Sequence, residues 1–542
     1  MTISLSRVSF LTFAFTVGIN AISAAAPVFT KDVAPIFMES CVECHRSGEI
    51  GPMSLRTYEE VRPWAKSIAK VVANRIMPPW HANPEIGEWS NDISLSQEKI
   101  DTIVSWVDAG AKKGNPKDMP AMPKFKDEWS FGKPDYIVEF PPLEVPSGQD
   151  VYFDPKVEVN FPKNTWLRAV DIRPGNRAVA HHINILAGDR PTMAATKERD
   201  VNESAKINNH LQGGGILGDA WLGSWGPGAG ASRPFPDGMG RPIPDVKVIT
   251  GDIHTYNATD KTQIERTKVG FYYGKGDLKK VMSLGAAGSL DLAIPPGERK
   301  YESMGTYTFD QDVNVVSFTP HMHLIGRDMT FTAVYADDRR EVLLEVPRYK
   351  FNWQTVYSPA EHKFMPKGSK IEVVSHLDNS ADNPYANDPS EWVLYGAASY
   401  EEMAFGIFSF YPTEGTKVKT GSMQKRVDEF LKTAPEGAYS GKVRLAHVPM
   451  KIPMAVVVPE EGNVLLCIGN GGMTVELDAG EVQWDGNKFS ANRNSGQGPV
   501  EVNGTLIDGF VDMTIRLDDA DIPIMNTKDM DPWKFEMRKP RG

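Results

Sequence analysis

The stretch "EEMAFGIFSFYP" (residues 401–412) is an apolar and aromatic run with two carboxylates, Glu401 and Glu402, at its mouth. A short apolar run of this composition reads as a buried strand. Similar short, alternating runs fill the chain from about Asp127 onward: "DYIVEF", "KVEVNF", "RAVDIR", "TKVGFYY", "NVVSFT", "MTFTAVYA" and "KIEVVSHL", with Gly, Pro, Asn and Asp between them. That pattern predicts a mainly β protein built from β-sandwiches. Met403, taken alone, is a residue that fills irregular apolar gaps. Whether it instead holds a thioether out for a metal depends on which other donors the strands supply.

The chain has 11 histidines. In "VSFTPHMHLIG" His321 and His323 are two apart, so on a strand they share a face and can grip one ion together. His181 and His182 are adjacent in "RAVAHHINILAG" and point to opposite faces unless they sit at a strand end or a bulge. His254 ends an apparent strand in "DVKVITGDIHTYN". A single histidine is ordinarily a satisfied core or surface group; five in this arrangement point to metal. Imidazole suits zinc, copper, iron and nickel, and an added thioether selects copper, Cu(I) above all. His210 is the rival to His254 as third ligand. His376, on a strand before an Asn/Asp/Pro turn, is expected to support structure or a ligand rather than bind metal, and His362 and His447 read as ordinary.

A different chemistry sits near the front. "ESCVECHRSGEIGPMSL" contains Cys41-x-x-Cys44-His45, the pattern by which two thiols attach a c-type haem and the next histidine ligates its iron. The surroundings resemble a small cytochrome c domain. That resemblance implies a loop carbonyl at Gly51-Pro52 orienting His45, and Met77 of "RIMPPWH" as the distal iron ligand, with Met53 and His81 as rivals. A thioether opposite histidine favours electron transfer. "YEEVRPWAKSIAKVVANRI" reads as an amphipathic helix. A second helix follows, with Ser94 and Gln97 spaced as a capping box, Ile100, Ile103, Val104 and Val107 on one face and Gly110 as its stop. A Pro-, Lys- and Met-rich linker from about Lys112 to Lys126 marks a boundary.

At 542 residues the chain exceeds one core, and roughly three to five domains are expected. Residues 1–26 read as a signal peptide, with Arg7, an apolar run and small residues for cleavage between Ala24 and Ala26. No later segment has the roughly 20 apolar residues of a membrane helix. A soluble, exported mature chain is therefore expected. The net charge of -11 argues against a nucleic-acid partner. Of the three cysteines, Cys467 is left as a buried apolar thiol. The glycines of residues 213–244 lack the strand–turn–helix setting of a nucleotide site. After about Thr416 one helix ("SMQKRVDEFLKTA") precedes more strands, with Asp485-Gly486, Asn503-Gly504 and Asp508-Gly509 as hairpin turns.

The order His-His, His, His-x-His and Glu-Glu-Met resembles the copper type II ascorbate-dependent monooxygenases, the family of peptidylglycine α-hydroxylating monooxygenase and dopamine β-monooxygenase, over roughly residues 130–415. The resemblance implies two jelly-roll-like copper domains facing each other across a solvent-filled cleft. His181, His182 and His254 would hold an electron-relay copper, and His321, His323 and Met403 the copper where O2 is activated against a substrate C–H bond. The domains are then 27–126 (cytochrome c), 127–286 (three-histidine copper), 287–416 (two-histidine, one-methionine copper) and 417–542 (accessory β). The implied protein is a periplasmic monooxygenase with two copper ions and one covalent haem c. It takes a small organic substrate and O2, and draws electrons through the haem from a periplasmic donor. The alternative from another class is a non-catalytic periplasmic copper-binding electron-transfer protein, and a zinc-dependent hydrolase is a third reading. The animal enzymes' disulfides have no counterpart here, and no residues match those that grip a peptide carboxylate or a catecholamine.

Overall fold

The computed structural model describes residues 26–538 apart from 48, 50, 126–128, 190–220, 227–233, 290–291, 396–399, 419–422, 435–436, 445–450, 471–472, 496–497, 508–509 and 518–532. The expected signal peptide, His210, His447 and the Asp508-Gly509 turn lie outside these residues. The protein is mainly β. The chain divides into two compact units: residues 1–46, 53–74 and 95–123 form one, and residues 47–52, 75–94 and 124–542 the other.

The first unit is helical. Helices Ala34–Ser40, Tyr58–Val61 running through a 3-10 turn into Ala65–Ala73, and Gln97–Asp108 enclose Phe29, Phe37, Ile103 and Trp106, all fully buried. Phe29 packs on Phe37, Tyr58 and Trp106 at centroid distances of 6.2, 5.6 and 5.8 Å. The capping box is at Thr57 and Glu60, not at Ser94 and Gln97. The latter helix is capped by Ser96, whose hydroxyl accepts from the Lys99 N–H, while Ser94 donates its N–H to Asp92. Gly110 follows at φ +92°, a conformation that costs glycine least and ends the helix.

In the second unit, one pair of sheets encloses Val138, Phe140, Ile172, Ile183, Ile253 and Phe271. Its histidine-bearing sheet runs Asp150–Phe153, Val248–Tyr256, Ala180–Ala187, Trp221–Trp225. A second pair packs the sheet Ser283–Ser289, Ala404–Pro412, Val313–Met322, Lys363–Met365 over strands Arg340–Val346, Gly326–Val334, Lys370–Leu377 and Tyr301–Thr308. Phe309, Phe318, Phe331, Phe408 and Phe410 fill the space between. The sheets approach closely at Gly406, where a Cβ would stand 2.5 Å from Val373 Cγ2 and 2.6 Å from Phe331 Cε1.

Residues 75–94 run across this second core. Trp80 and Ala82 are buried in it, Trp80 stacking edge-on against Tyr357 at 4.8 Å and Trp89 against the same ring at 5.5 Å. Asn83 bonds Glu345, and Asn91 bonds the Val356 carbonyl and the Ser358 N–H. The strap therefore fixes the loop around Tyr357, which proves to carry part of the site.

The eight described strands after residue 437 pair each with the next, and the last, Trp533–Arg538, pairs with the first, Ala438–Arg444. The meander closes into a barrel, the arrangement that removes sheet edges. Helix Met423–Thr433 lies on it, with Val427 against Ala455 and the fully buried Cys467. The hairpin expected at Asp485-Gly486 forms one residue later: Asp485 still pairs with Lys488, and Gly486 and Asn487 make the turn. Asn503-Gly504 does not: both lie within strand Gly498–Ile507, and a Cβ on Gly504 would stand 2.5 Å from the Phe489 ring, so the glycine there makes room rather than a turn.

Candidate metal centres

The three-histidine cluster depends on a bulge. Strand Ala180–Ala187 pairs with Val248–Tyr256 so that Ala180 faces Thr255 and His182 faces His254, leaving His181 as the extra residue. The bulge at the strand's start turns adjacent histidines toward one point, the condition the sequence required. One nitrogen from each of His181, His182 and His254 lies within 4.8 Å of the others. His254 is buried and stacked on Tyr152 at 4.1 Å, which holds its plane. His181 Nε2 is 3.0 Å from Asn352 Oδ1; an amide oxygen only accepts, so Nε2 carries the proton and Nδ1 the lone pair. Burial, with the neighbouring histidines, holds His182 well below the usual imidazole range, so it is neutral and can act as a donor.

The second set forms where Val313–Met322 ends beside the start of Ala404–Pro412. His321 faces Phe405 and Met322 faces Ala404, so the next position across from His323 is Met403. The His321 and His323 rings lie 5.4 Å apart, and Met403 comes just before the strand that pairs with theirs. Met403 is buried, at 6% exposure.

Each imidazole has its Nδ1 engaged. His323 Nδ1 donates to the Glu401 carbonyl at 3.0 Å and His321 Nδ1 to Gln354 Oε1 at 2.8 Å, leaving both Nε2 lone pairs for a metal. Burial holds His321 below the usual range against the opposing Gln354 bond. The Tyr349 hydroxyl clamps the strand end by donating to the Met322 carbonyl at 2.5 Å and accepting its N–H at 3.1 Å.

Glu402 ties the two strands together and is fully buried. Its Oε1 accepts the backbone N–H of His323 and, at 2.9 Å, that of Met403; Oε2 accepts the Ile325 N–H at 3.2 Å. Burial pushes its carboxyl up to about 8 despite these donors.

The two donor sets are not separated by open solvent, as the resemblance implied. The ring of Phe351 lies 4.7 Å from His181, 5.5 Å from His182 and 5.8 Å from His323, and Gln354 reaches histidines of both sets. Imidazole donors fit copper, and a thioether at the second set sharpens that fit.

The remaining histidines take other partners. His376 sits between Asp328 at 2.5 Å and Glu302 at 3.4 Å, in the structural use expected of it, and His362 meets the Tyr411 hydroxyl.

At the Cys-x-x-Cys-His motif, Cys41 and Cys44 lie on one turn, where the Cys44 and His45 N–H groups both return to the Cys41 carbonyl. His45 Nδ1 bonds the Met53 carbonyl at 3.2 Å, one residue beyond the Gly51-Pro52 position expected. Burial and the neighbouring Cys44 push the Cys41 thiol up to about 12. Met77 belongs to the second unit, as does His81; Met53 belongs to the first with His45.

No curated protein matches the chain. Among solved structures, the major capsid protein P2 of bacteriophage PM2 aligns at 7% identity over 52% of this chain and 100% of that one, with a TM-score of 0.19. Infectious bursal disease virus, Gx strain, aligns at 8% identity over 55% and 76%, with a TM-score of 0.15. Neither score bears on the fold. Residues 278–430 match the family model described as copper type II ascorbate-dependent monooxygenase, C-terminal domain, a stretch that includes His321, His323 and Met403 and supports copper and monooxygenase chemistry there.

Proposed function

We infer that this protein is an exported, periplasmic copper-dependent monooxygenase that hydroxylates a C–H bond of a small organic substrate with O2, drawing electrons through a c-type haem and a second copper. The observation that carries the reading is the set His321, His323 and Met403, supplied by the ends of two paired strands inside the stretch that matches the family model. Copper bound there would supply the one-electron and oxygen chemistry that side chains lack. The chain's own part is to hold two imidazoles by their Nδ1 atoms and to keep the thioether buried.

His181, His182 and His254 would hold the relay copper. Cys41 and Cys44 would attach the haem, with His45 as an axial ligand. Tethering such a donor raises its effective concentration at the copper domains. The strand that follows Met403, Ala404–Pro412, is apolar and aromatic, which suits a small organic substrate better than a charged one.

The test is O2 uptake by the copper-loaded, reduced protein across a panel of small organic compounds, with Met403→Ile as control. Substrate-dependent uptake lost in the variant is expected. Uptake unaffected by Met403→Ile sinks the ligand assignment, and the absence of any substrate-dependent uptake favours a non-catalytic electron-transfer protein.

A further inference from the structure

Gln354 belongs to neither donor set, yet its side-chain amide joins them. Its Oε1 accepts from His321 Nδ1 at 2.8 Å, while its Nε2 stands 3.1 Å from His182 Nε2 and 3.4 Å from the Phe351 carbonyl. The Phe351 carbonyl can only accept, so the end of the amide facing it must be the NH2 group. That fixes the amide's orientation and, through it, both histidine tautomers. His321 donates from Nδ1 and keeps its lone pair at Nε2. His182 accepts at Nε2, so its proton is on Nδ1 and its one lone pair is directed at Gln354.

An ion at the three-histidine cluster needs that lone pair. If it binds Nε2, it displaces the Gln354 NH2. If it binds Nδ1, the ring proton moves to Nε2 and a donor then faces a donor. In both cases Gln354 must leave its position, and the only acceptor it can turn toward His182 is the oxygen that holds His321.

We propose that Gln354 is a positioning residue that makes the two metal sites mutually dependent: filling the three-histidine site loosens His321 and weakens metal binding at the second site. The inference rests on the copper reading of both sets. Linkage requires the effect to be reciprocal. One hydrogen bond between neutral groups sets its size at about fivefold in affinity.

The experiment is a Cu(II) titration of the full chain by calorimetry, with electron paramagnetic resonance to resolve the sites. It is run on the wild type, His254→Ala, Gln354→Leu and the Gln354→Leu/His254→Ala double variant, after melting curves show each to be folded. With Gln354 present, the second site is expected to bind about fivefold more tightly when His254→Ala has removed the first. In the Gln354→Leu background that difference is expected to vanish. Gln354→Glu, which accepts from both rings and donates to neither, is expected to lose the penalty as well. A difference of equal size in the wild-type and Gln354→Leu backgrounds, or no difference in the wild-type background, overturns the coupling. Failure of the wild type to bind copper at the second site, or unchanged binding in Met403→Ile, instead overturns the copper reading beneath it.

Discussion

Glu402 shows how one residue can shape a site without offering itself as a ligand. Three backbone N–H groups, those of His323, Ile325 and Met403, converge on its carboxylate, so two proposed ligand positions hang on one side chain. Removing a buried acceptor leaves its donors unsatisfied, at about 1–3 kcal/mol each. Glu402→Ala is therefore expected to destabilise the second unit by about 2 kcal/mol or more, measured by denaturant unfolding. Met403→Ile is a change of similar volume and is expected to cost less than about 1.5 kcal/mol. It should leave the fold and the haem spectrum intact while abolishing the oxygen chemistry; retained hydroxylation would contradict the assignment of Met403.

Among elements, the strap of residues 75–94 and the loop it fixes matter most. Trp80 lies in the core against Tyr357, and the same loop carries Phe351, Asn352 and Gln354 to the histidines. Trp80→Ala is expected to cost about 3–5 kcal/mol in thermal unfolding. Burial, with Arg348 and Lys350 nearby, pushes His81 on the strap down to about 4 from 6.5. Between those values the unfolded chain binds a proton that the folded one does not, so stability falls as pH falls through that window. His81→Gln should flatten the dependence of melting temperature on pH there; an unchanged profile would contradict it.

Part of this was legible in the sequence. Strand period placed His321 and His323 together, and the need for a bulge at His181 and His182 followed from their adjacency. Gln354, Phe351 and Asn352 left no such trace, because they sit in an irregular loop far along the chain from the histidines they touch. The role of Trp80 was hidden for the same reason: burial by a distant core has no local periodicity. Gly504 misled because a glycine that clears space for an aromatic ring reads the same as one that turns a hairpin.

At the scale of the whole molecule, a helical unit bearing the Cys41-x-x-Cys44-His45 motif accompanies a β unit that holds both histidine sets and a closed barrel. If the proposed haem serves only to deliver electrons, His45→Ala should remove its normal ligation yet spare hydroxylation driven by a small reductant. Loss of that activity as well would mean that the haem is needed for more than supply. The central claim is incorporation of oxygen from O2 into a substrate C–H bond at the copper held by His321, His323 and Met403. The most direct measurement is mass spectrometry of product formed under 18O2 by the copper-loaded, reduced protein. One 18O atom per product, absent with Met403→Ile, is predicted; O2 consumption with no label in any product would contradict the account.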